Sequence, residues 1–378
     1  MIQISILKLL QILLILPIVT FFALSWIYAS VKEIHQSGTS KVFNKTSIPS
    51  KSWSEIELSN FIWNARLIVK PNILSFDDET SPFFRTKLTV FVTTSEANLD
   101  RRKVIRKTWG SWFRKRGHQV FFVIGKSSSP GAKLRNHLIS KEDRNYRDII
   151  QYDFEDSYMN LTLKSLFMLR FFNEAIIGQQ QNNGKAFPQA EHYLLKADDD
   201  VIFSGQNVLQ WINQYHENRQ RSSENYGIIL GRVSGGKRPI RNPSLYHYVP
   251  ETVYSSQSYP DFTIGCGYLM NIHAAQSIYR AAIFAHQCPF LPLEDVFLTG
   301  ICASKTVNLD SDYEPTKIQL VNSPDFVILS PKEHGNFCDH LTPNLTMYGH
   351  RLTPPQILKY GRMLLSLEKS LEFCRKRT

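Results

Sequence analysis

A run of apolar residues that ends in three consecutive aspartates is the feature that most restricts the fold of this chain. The segment His192–Ala197 is typical of a buried strand, and Asp198, Asp199 and Asp200 follow it directly. Three adjacent carboxylates at a buried strand end repel one another and are costly to desolvate. A divalent cation such as Mn²⁺ or Mg²⁺ neutralises such a group and can hold a diphosphate as well. An exposed acidic turn is the structural alternative.

Strand and helix patterns alternate along the rest of the chain. β-branched or apolar runs predict strands at 88–93, 120–124 and 148–152, and helical spacing predicts helices at 99–109, 132–145 and 161–177. Such alternation predicts an α/β fold with a mostly parallel central sheet. Ligands of these sheets bind outside the carboxyl ends of the strands, and the aspartate triplet lies at such an end.

The N-terminal region predicts a membrane anchor. Residues 9–31 contain no charged side chain, and 23 residues of helix span roughly 34 Å, enough for a hydrocarbon core of about 30 Å. We therefore expect a cytoplasmic tail at 1–8, a transmembrane signal anchor at 9–31, a polar stem at 32–84 and a lumenal catalytic domain at 85–378. A cleaved signal peptide is the alternative, although its apolar region is usually about 7 to 15 residues.

Other features agree with a lumenal body. Three sequons make Asn44, Asn160 and Asn344 candidates for N-glycosylation, and five cysteines allow up to two disulfides. The net charge of +11 suits anionic substrates, a membrane surface or nucleic acid. A nucleic-acid partner is disfavoured, because the chain has no long Lys/Arg block and no zinc-ligand spacing. The sequence does not indicate an oligomeric state.

Two arginines mark the predicted helix at 99–109. Arg102 and Arg106 are four residues apart, so they share one face of that helix. Two guanidinium groups near a strand end can grip a diphosphate through paired hydrogen bonds. The alternative is a solvated helix face with Trp109 buried.

Two acids and two glycines form a second group of candidates. Glu294 and Asp295 precede an apolar helical segment, where they either cap the helix or place a general base that removes a proton from an attacking hydroxyl. Gly265 and Gly267 allow close approach of a ligand to the backbone, or mark a tight bend. For Asn160, before the apolar helix at 161–177, the structural reading is an N-cap.

A histidine near the C-terminus is a candidate metal ligand. A neutral imidazole at His350 can supply a nitrogen to the cation at the aspartate triplet. On residue type alone, His334 and His340 compete for this role.

Taken together and in this order, these segments resemble the β-1,3-galactosyltransferase family, which includes β-1,3-N-acetylglucosaminyltransferases and, more remotely, the Fringe enzymes. The matching segments are Arg101-Arg-x-x-Ile-Arg-x-Thr-Trp109, Asp153-x-x-Asp-x-Tyr-x-Asn-Leu-Thr-Leu-Lys164, Lys196-x-Asp-Asp-Asp200, Tyr259-Pro to Gly265-x-Gly-Tyr268, Glu294-Asp-Val296 and the segment around His350. They cover roughly residues 86 to 362.

The resemblance implies a type II Golgi membrane enzyme with a nucleotide-sugar-binding GT-A type α/β fold, a UDP-sugar donor, Mn²⁺ and inversion at the anomeric carbon. The site residues that it implies fall into four groups. They are Asp295 as the catalytic base; Asp200 and His350 as metal ligands; Arg102, Arg106, Asp198 and Asp199 at the donor nucleotide; and Gly265, Gly267 and Glu294 on the acceptor and sugar side.

We expect galactose transfer from UDP-galactose to a hydroxyl of a glycan on a protein or lipid, in β-1,3 linkage. The alternatives are N-acetylglucosamine or N-acetylgalactosamine transfer, or a catalytically silent glycan-binding relative. Two departures from the family pattern affect the acceptor side. Thr299 stands where the family places glycine, with Gly300 one residue later, and Tyr246-His-Tyr248 replaces Lys-Trp-Tyr. Cys266 also departs from the family's cysteine position.

Overall fold

The computed structural model describes residues 55–71, 86–127, 131–177, 191–219, 226–284, 288–305, 317–329 and 337–376. The predicted tail, anchor and Asn44 lie outside these ranges, as do His334 and much of the predicted stem. Within them, no helix combines the length and the apolar character needed to cross a membrane.

A twisted eight-stranded sheet organises the described part of the chain. Its strands, with those of a small second sheet, are β1 Leu67–Val69, β2 Thr86–Thr93, β3 Gln119–Lys126, β4 Ile149–Glu155, β5 Glu191–Asp198, β6 Val201–Phe203, β7 Gly227–Ser234, β8 Phe262–Asn271, β9 Ile318–Asn322, β10 Phe326–Ile328 and β11 Met347–Gly349. The order in the large sheet is β1-β4-β3-β2-β5-β8-β7-β9. Strands β4, β3, β2 and β5 are parallel neighbours, whereas β8 runs antiparallel between β5 and β7.

Helices cover both faces of the large sheet. They are α1 Glu55–Asn64, α2 Leu99–Lys107, α3 Trp109–Arg114, α4 Ala132–Tyr146, α5 Leu161–Phe171, α6 Gly205–Arg219, α7 Ile272–Phe284, α8 Ala303–Lys305, α9 Pro354–Leu365 and α10 Leu367–Arg375. Helices α1, α5 and α7 pack into one apolar core, and α2, α3, α6 and α9 pack into the other. Parallel strands that are buried on both faces need continuous apolar runs, which explains the patterns of β2 and β3. The predicted α/β fold is confirmed.

The predicted helix at 99–109 is two helices. Thr108 has non-helical backbone angles (φ −122°, ψ −121°) and separates α2 from α3. Trp109 is fully buried at the start of α3, as the sequence alternative expected. The predicted helix at 161–177 is α5 followed by a π-helical turn at Phe172–Ile177. Asn160 precedes α5 without a side-chain cap, because its Nδ2 instead donates to the carbonyl of Glu155 (2.9 Å).

Part of the predicted stem belongs to the folded body. Leu58 and Ile62 of α1 are buried in the core that α5 and α7 share. Strand β1 pairs antiparallel with β4 and forms one edge of the large sheet. The expected domain boundary at residue 85 therefore lies too late in the chain.

The small sheet joins the aspartate triplet to the C-terminal region. Strand β6 follows Asp200 and pairs antiparallel with β11, so that Val201 lies opposite Gly349. The backbone N–H of Leu352 donates to the carbonyl of Asp200 (3.1 Å). This pairing brings the turn after Gly349 beside the end of β5.

Cysteine pairing stabilises the C-terminal region. Cys338 and Cys374 form a disulfide that links a short 3₁₀ turn, Phe337–Asp339, to α10. The remaining cysteines are buried thiols at Cys266, Cys288 and Cys302. The sequence permitted two disulfides, and the described residues contain one.

A buried ion-pair network anchors α2 beneath the first loop of the sheet. The Arg102 guanidinium is fully buried and pairs with Glu142 of α4 (2.8 Å). Arg106 pairs with Glu142 (2.6 Å) and with Asp148 (2.8 Å). Arg102 also donates to the carbonyls of Ser95 and Glu96. The network therefore fixes the loop after β2 to α2 and α4.

Replacing Arg102 with Leu is expected to destabilise the fold by about 3–5 kcal/mol, because it leaves the Glu142 carboxylate buried with one fewer partner. Chemical denaturation of the wild type and the variant measures the difference in the free energy of unfolding. The matched Lys103→Leu change removes only an exposed pair with Asp100 and should cost at most about 1 kcal/mol. Equal effects of the two substitutions would contradict a structural role for the buried pair.

Candidate active site

A cavity of about 480 Å³ opens at the carboxyl ends of β2 and β5. This volume lies in the range of small-molecule sites. Titratable side chains from several separated segments line it, among them Tyr158, Lys196, Asp198, Lys237, Arg238, His247, Glu294, Asp295 and His350. Of the aspartate triplet, Asp198 lines this cavity, at the end of β5.

The three aspartates have different surroundings. Asp199 is buried, and both of its carboxylate oxygens already accept hydrogen bonds. Thr94 Oγ1 (2.5 Å) and Asn98 Nδ2 (2.8 Å) donate to Oδ2, and Arg101 Nη1 (2.9 Å) donates to Oδ1. Asp199 therefore ties β5 to the loop after β2. Its assignment to nucleotide binding is corrected, because it faces protein donors and does not line the cavity.

Asp200 and His350 both present unpartnered atoms. Asp200 Oδ1 and His350 Nδ1 are buried and have no hydrogen-bond partner within the described ranges. Burial, followed by the nearby charge of Asp198, raises the pKa of Asp200, while Arg101 and His350 lower it. Arg101 approaches Asp200 Oδ2 at 3.5 Å. Buried polar atoms normally have hydrogen-bond partners. Asp200 Oδ1 and His350 Nδ1 are therefore candidates for binding a ligand.

The backbone around His350 is unusual. Gly349, His350 and Arg351 all have positive φ angles, of 126°, 136° and 64°. Non-glycine residues rarely adopt such angles, and positions that do so tend to be held by their surroundings. Here the pairing of β11 with β6 and the Leu352–Asp200 hydrogen bond hold the turn. The competing His340 packs against the ring of Tyr348.

The unpartnered carboxylate oxygen and imidazole nitrogen fit a divalent cation with mixed oxygen and nitrogen ligands. The described residues contain no cluster of three or more His, Cys, Asp or Glu ligands. Two protein ligands with open positions would leave room for ligand oxygens, which is the arrangement that Mn²⁺ or Mg²⁺ adopts with phosphates.

Lys196 is a central residue that the sequence reading did not assign. Its Nζ donates to Asp198 Oδ1 (2.6 Å) and to the carbonyl of Gly265, and its side chain is almost fully buried. Asp198 also accepts a hydrogen bond from Thr93 Oγ1 (2.8 Å). The ammonium group therefore links β5 to β8. Lys196 and Asp198 are two residues apart on one strand and share a face, which is the signal that could have found the pair.

Asp295 lies across the cavity from the triplet, at the start of a π-helical segment, Val296–Cys302. Its Oδ1 accepts from the backbone N–H of Val296 (2.9 Å), and its Oδ2 accepts from that of Gly265 (3.1 Å). Burial raises the pKa of Asp295, and these N–H groups and Lys196 counteract the rise. The predicted capping role and a cavity-facing carboxylate are both present in this one residue.

Glu294 is buried beside Asp295 at the cavity wall. Tyr268 Oη donates to Glu294 Oε1 (2.7 Å). Burial is the largest influence on the pKa of Glu294 and raises it, while the nearby Lys196 ammonium is the largest opposing influence. Glu294 thus hydrogen-bonds to Tyr268 and to Ser165 at the cavity wall.

The two glycines have different neighbours. Gly265 lines the cavity, and a Cβ there would lie 3.0 Å from Glu294 Oε2. Gly267 is buried away from it, and a Cβ there would lie 2.6 Å from Met347 and from Phe203. Gly267 is therefore a packing residue between the two sheets, and its acceptor-side assignment is corrected.

The segment in which Gly300 comes one residue later than in the family pattern is π-helical, Val296–Cys302. A π-turn closes its hydrogen bond over five residues, one more than an α-helix. Thr299 Oγ1 donates to the carbonyl of Asp295 (2.7 Å) and accepts from the N–H of Thr263 (2.9 Å). Gly300 lies against Phe262, where a Cβ would meet its side chain at 3.1 Å. The departure from the family spacing therefore leaves Asp295 at the cavity.

The predicted basic grip is also corrected. Arg102 and Arg106 do not line the cavity, because Glu142 and Asp148 bind their guanidinium groups within the core. They support the pocket indirectly through the loop after β2. The arginine that contacts the triplet is instead Arg101, which pairs with Asp199 (2.9 Å) and approaches Asp200 (3.5 Å).

An aromatic group forms the outer wall of the cavity. The Tyr158 and Tyr246 rings lie 4.7 Å apart, and the Tyr158 hydroxyl lies 3.1 Å from His247 Nε2. His247 stands where the family carries tryptophan. At the remaining sequons, the Asn160 amide is engaged as described, whereas Asn344 is exposed in a turn.

The chain belongs to the galactosyltransferase family, whose family model matches residues 100–310, more than half of the sequence. The chain is 32% identical over 234 residues to the human lactosylceramide 1,3-N-acetyl-beta-D-glucosaminyltransferase, with 60% of this chain and 56% of the relative covered. It is 29% identical over 243 residues to the mouse acetylgalactosaminyl-O-glycosyl-glycoprotein beta-1,3-N-acetylglucosaminyltransferase, with 62% and 56% covered.

A solved glycosyltransferase involved in the glycosylation of the major capsid of PBCV-1 is similar at 12% identity and a TM-score of 0.34. The match covers 73% of this chain and 99% of that one. The chain spans slightly more than half the length of the two curated relatives.

Proposed function

We propose that this protein is a metal-dependent, inverting glycosyltransferase that moves N-acetylglucosamine from a UDP-sugar to a glycan hydroxyl in β-1,3 linkage. The observation that carries the proposal is that acidic groups from two separate segments line one cavity. The Asp295 carboxylate and the end of β5 with Asp198 line one cavity of a size suited to a nucleotide-sugar. Family membership supports the same reaction class.

The donor assignment departs from the sequence expectation of galactose. Both curated relatives described above are named as N-acetylglucosaminyltransferases, which supports the alternative donor. One of them acts, by its name, on a glycolipid and the other on a glycoprotein. The acceptor of this chain is therefore proposed only as a glycan on a lipid or a protein.

The chemistry follows from the positions of two carboxylates. An acceptor hydroxyl beside Asp295 loses its proton to that carboxylate as it attacks the anomeric carbon. The attack from the face opposite the leaving diphosphate converts an α-linked donor into a β-linked product in one displacement. No covalent intermediate with the protein is needed.

The donor side has its own residues. Asp200 and His350 would hold the cation, which when bound stabilises the charge that develops on the leaving diphosphate. Asp198, fixed by Lys196 and Thr93, would face the nucleotide. Lys196 also donates to the carbonyl of Gly265, whose N–H donates to Asp295. One buried ammonium group therefore fixes the position of Asp198 relative to the proposed base.

We also propose a lumenal Golgi location with a single N-terminal anchor. The uncharged segment at 9–31 and the exposed sequon at Asn344 support this. The Cys338–Cys374 disulfide is consistent with an oxidising compartment.

A donor panel tests the proposal directly. The full chain in detergent is assayed for UDP release with Mn²⁺, an acceptor panel, and UDP-N-acetylglucosamine, UDP-galactose or UDP-N-acetylgalactosamine. Chelator-sensitive release with UDP-N-acetylglucosamine is the expected result. Release with UDP-galactose alone would reinstate the original donor expectation, and absence of UDP binding would refute the donor site.

Replacing Asp295 with Asn is expected to lower the transfer rate by about 10²- to 10⁴-fold, because the general base is lost. UDP affinity should stay within about twofold, since Asp295 lies on the acceptor side. Asp261→Asn, an exposed carboxylate on the neighbouring segment, is the control. A variant that retains near wild-type transfer would remove Asp295 from the base role.

Asp200→Ala and His350→Asn should each weaken Mn²⁺-dependent UDP binding by at least about tenfold, since each removes one of two protein ligands. Titration calorimetry with and without Mn²⁺ measures the effect. His340→Asn is the matched control and should bind normally. Normal binding by both site variants would place the cation elsewhere.

The pH profile should follow Asp295. The base must be ionised, and burial raises its pKa, so kcat/KM should fall on acidification at a pH above that of an ordinary aspartate. The Lys196 ammonium lowers this pKa, so Lys196→Met should shift the acidic limb to higher pH, whereas Lys196→Arg should retain it. An acidic limb that stays in place in Lys196→Met would argue against this coupling.

A further inference from the structure

Two cations at the mouth of the cavity have no role in the chemistry described so far. Lys237 and Arg238 follow β7, line the cavity and are exposed. No ion pair or hydrogen bond joins either side chain to another described residue. The third cation of the lining, Lys196, differs because Asp198 neutralises it at 2.6 Å. The mouth therefore carries uncompensated positive charge.

The backbone places this pair on the side of Asp295. The carbonyl of Lys237 accepts from the N–H of Tyr259 (2.8 Å), which lies on the segment that leads to Gly265. Gly235 packs against the same segment, where a Cβ would meet Asp261 Oδ1 at 2.7 Å. Gly265 in turn donates to Asp295.

The proposed cation site is built from other segments. Asp200 is held by Arg101 and by the N–H of Leu352, beside His350. These residues come from α2 and from the turn after β11. The free cations therefore belong to the acceptor side of the cavity, where the donor diphosphate is not expected.

Aromatic side chains line the same cavity as Lys237 and Arg238. Tyr158 and His247 both belong to this lining, and the Tyr158 ring is 39% exposed and packs against Tyr246. The Tyr158–His247 hydrogen bond fixes the pair. Arg241 holds the loop by donating to the carbonyls of Val249, Tyr254 and Ser256. A preorganised aromatic face next to two free cations suits a sugar that carries an acidic group.

We propose that Lys237 and Arg238 form an acceptor subsite for a glycan that carries a carboxylate or sulfate group on the sugar next to the accepting hydroxyl. The proposal rests on the proposed function and adds the charge of its acceptor. A carboxylate and a sulfate present the same anionic oxygens to a guanidinium and an ammonium group. The diphosphate of the donor is the other possible source of such an anion.

The test compares one neutral acceptor with two anionic ones. With the full chain, the acceptor KM is measured for N-acetyllactosamine, for its form with sulfate at O6 of N-acetylglucosamine, and for galactosyl-β-glucuronic acid. We expect at least one anionic acceptor to have a KM about tenfold or more below that of the neutral one. In Lys237→Met/Arg238→Met this ratio should fall towards one.

Arg232→Met, an exposed arginine of β7 outside the cavity lining, is the matched control and should keep the wild-type ratio. Equal KM values for neutral and anionic acceptors in the wild type would overturn the proposal. A raised KM for the UDP-sugar in the double variant, with the acceptor ratio kept, would assign the two cations to the donor diphosphate.

A binding measurement keeps the subsite separable from the proposed reaction. Titration of the three oligosaccharides into the UDP-bound protein needs no transfer. Preferential binding of an anionic oligosaccharide, lost in the double variant, would support the subsite even if no donor were turned over. Binding without any charge preference would refute the subsite while leaving the transferase proposal intact.

Discussion

Repulsion among the carboxylates at the end of β5 is the interaction on which the site depends. Each aspartate is compensated differently. Asp198 pairs with a buried ammonium, and Asp199 accepts three hydrogen bonds from the loop after β2 and from α2. Asp200 keeps an unpartnered oxygen beside His350. Protein donors therefore offset the charges of Asp198 and Asp199, whereas Asp200 has Arg101 near one oxygen and no partner at the other among the described residues.

The carboxylates of the site are held in place by contacts from several parts of the fold. The loop that binds Asp199 is held by Arg102, whose guanidinium is held by Glu142 on a separate helix. Strand β8 contacts both Asp295 and Lys196, because the Gly265 N–H donates to Asp295 and the Gly265 carbonyl accepts from Lys196 Nζ. The geometry of the site therefore depends on the buried Arg102–Glu142 ion pair, which lies outside the cavity.

Local patterns predicted the parallel strands β2 to β5, the helical segments near 99–109, 132–145 and 161–177, and the triplet at a strand end, because hydrophobic periodicity reports burial directly. They could not show which way Arg102 and Arg106 face, because Glu142 lies on another helix and no local pattern joins the two. His350 reaches Asp200 only through the pairing of β6 with β11, so its role came from family resemblance alone. The Lys196–Asp198 pair could have been predicted from the sequence, because alternation along β5 puts the two side chains on the same face.

The π-helical segment after Asp295 carries two separate sets of contacts, those of the Asp295 carboxylate and those of Gly300. In an α-helix, one added residue rotates everything downstream by about 100° relative to what precedes it. Here a wider π-turn follows Asp295, which bonds to Gly265 and Val296, while Gly300 meets Phe262. The carboxylate is thus held by contacts separate from those that pack the wall behind the cavity.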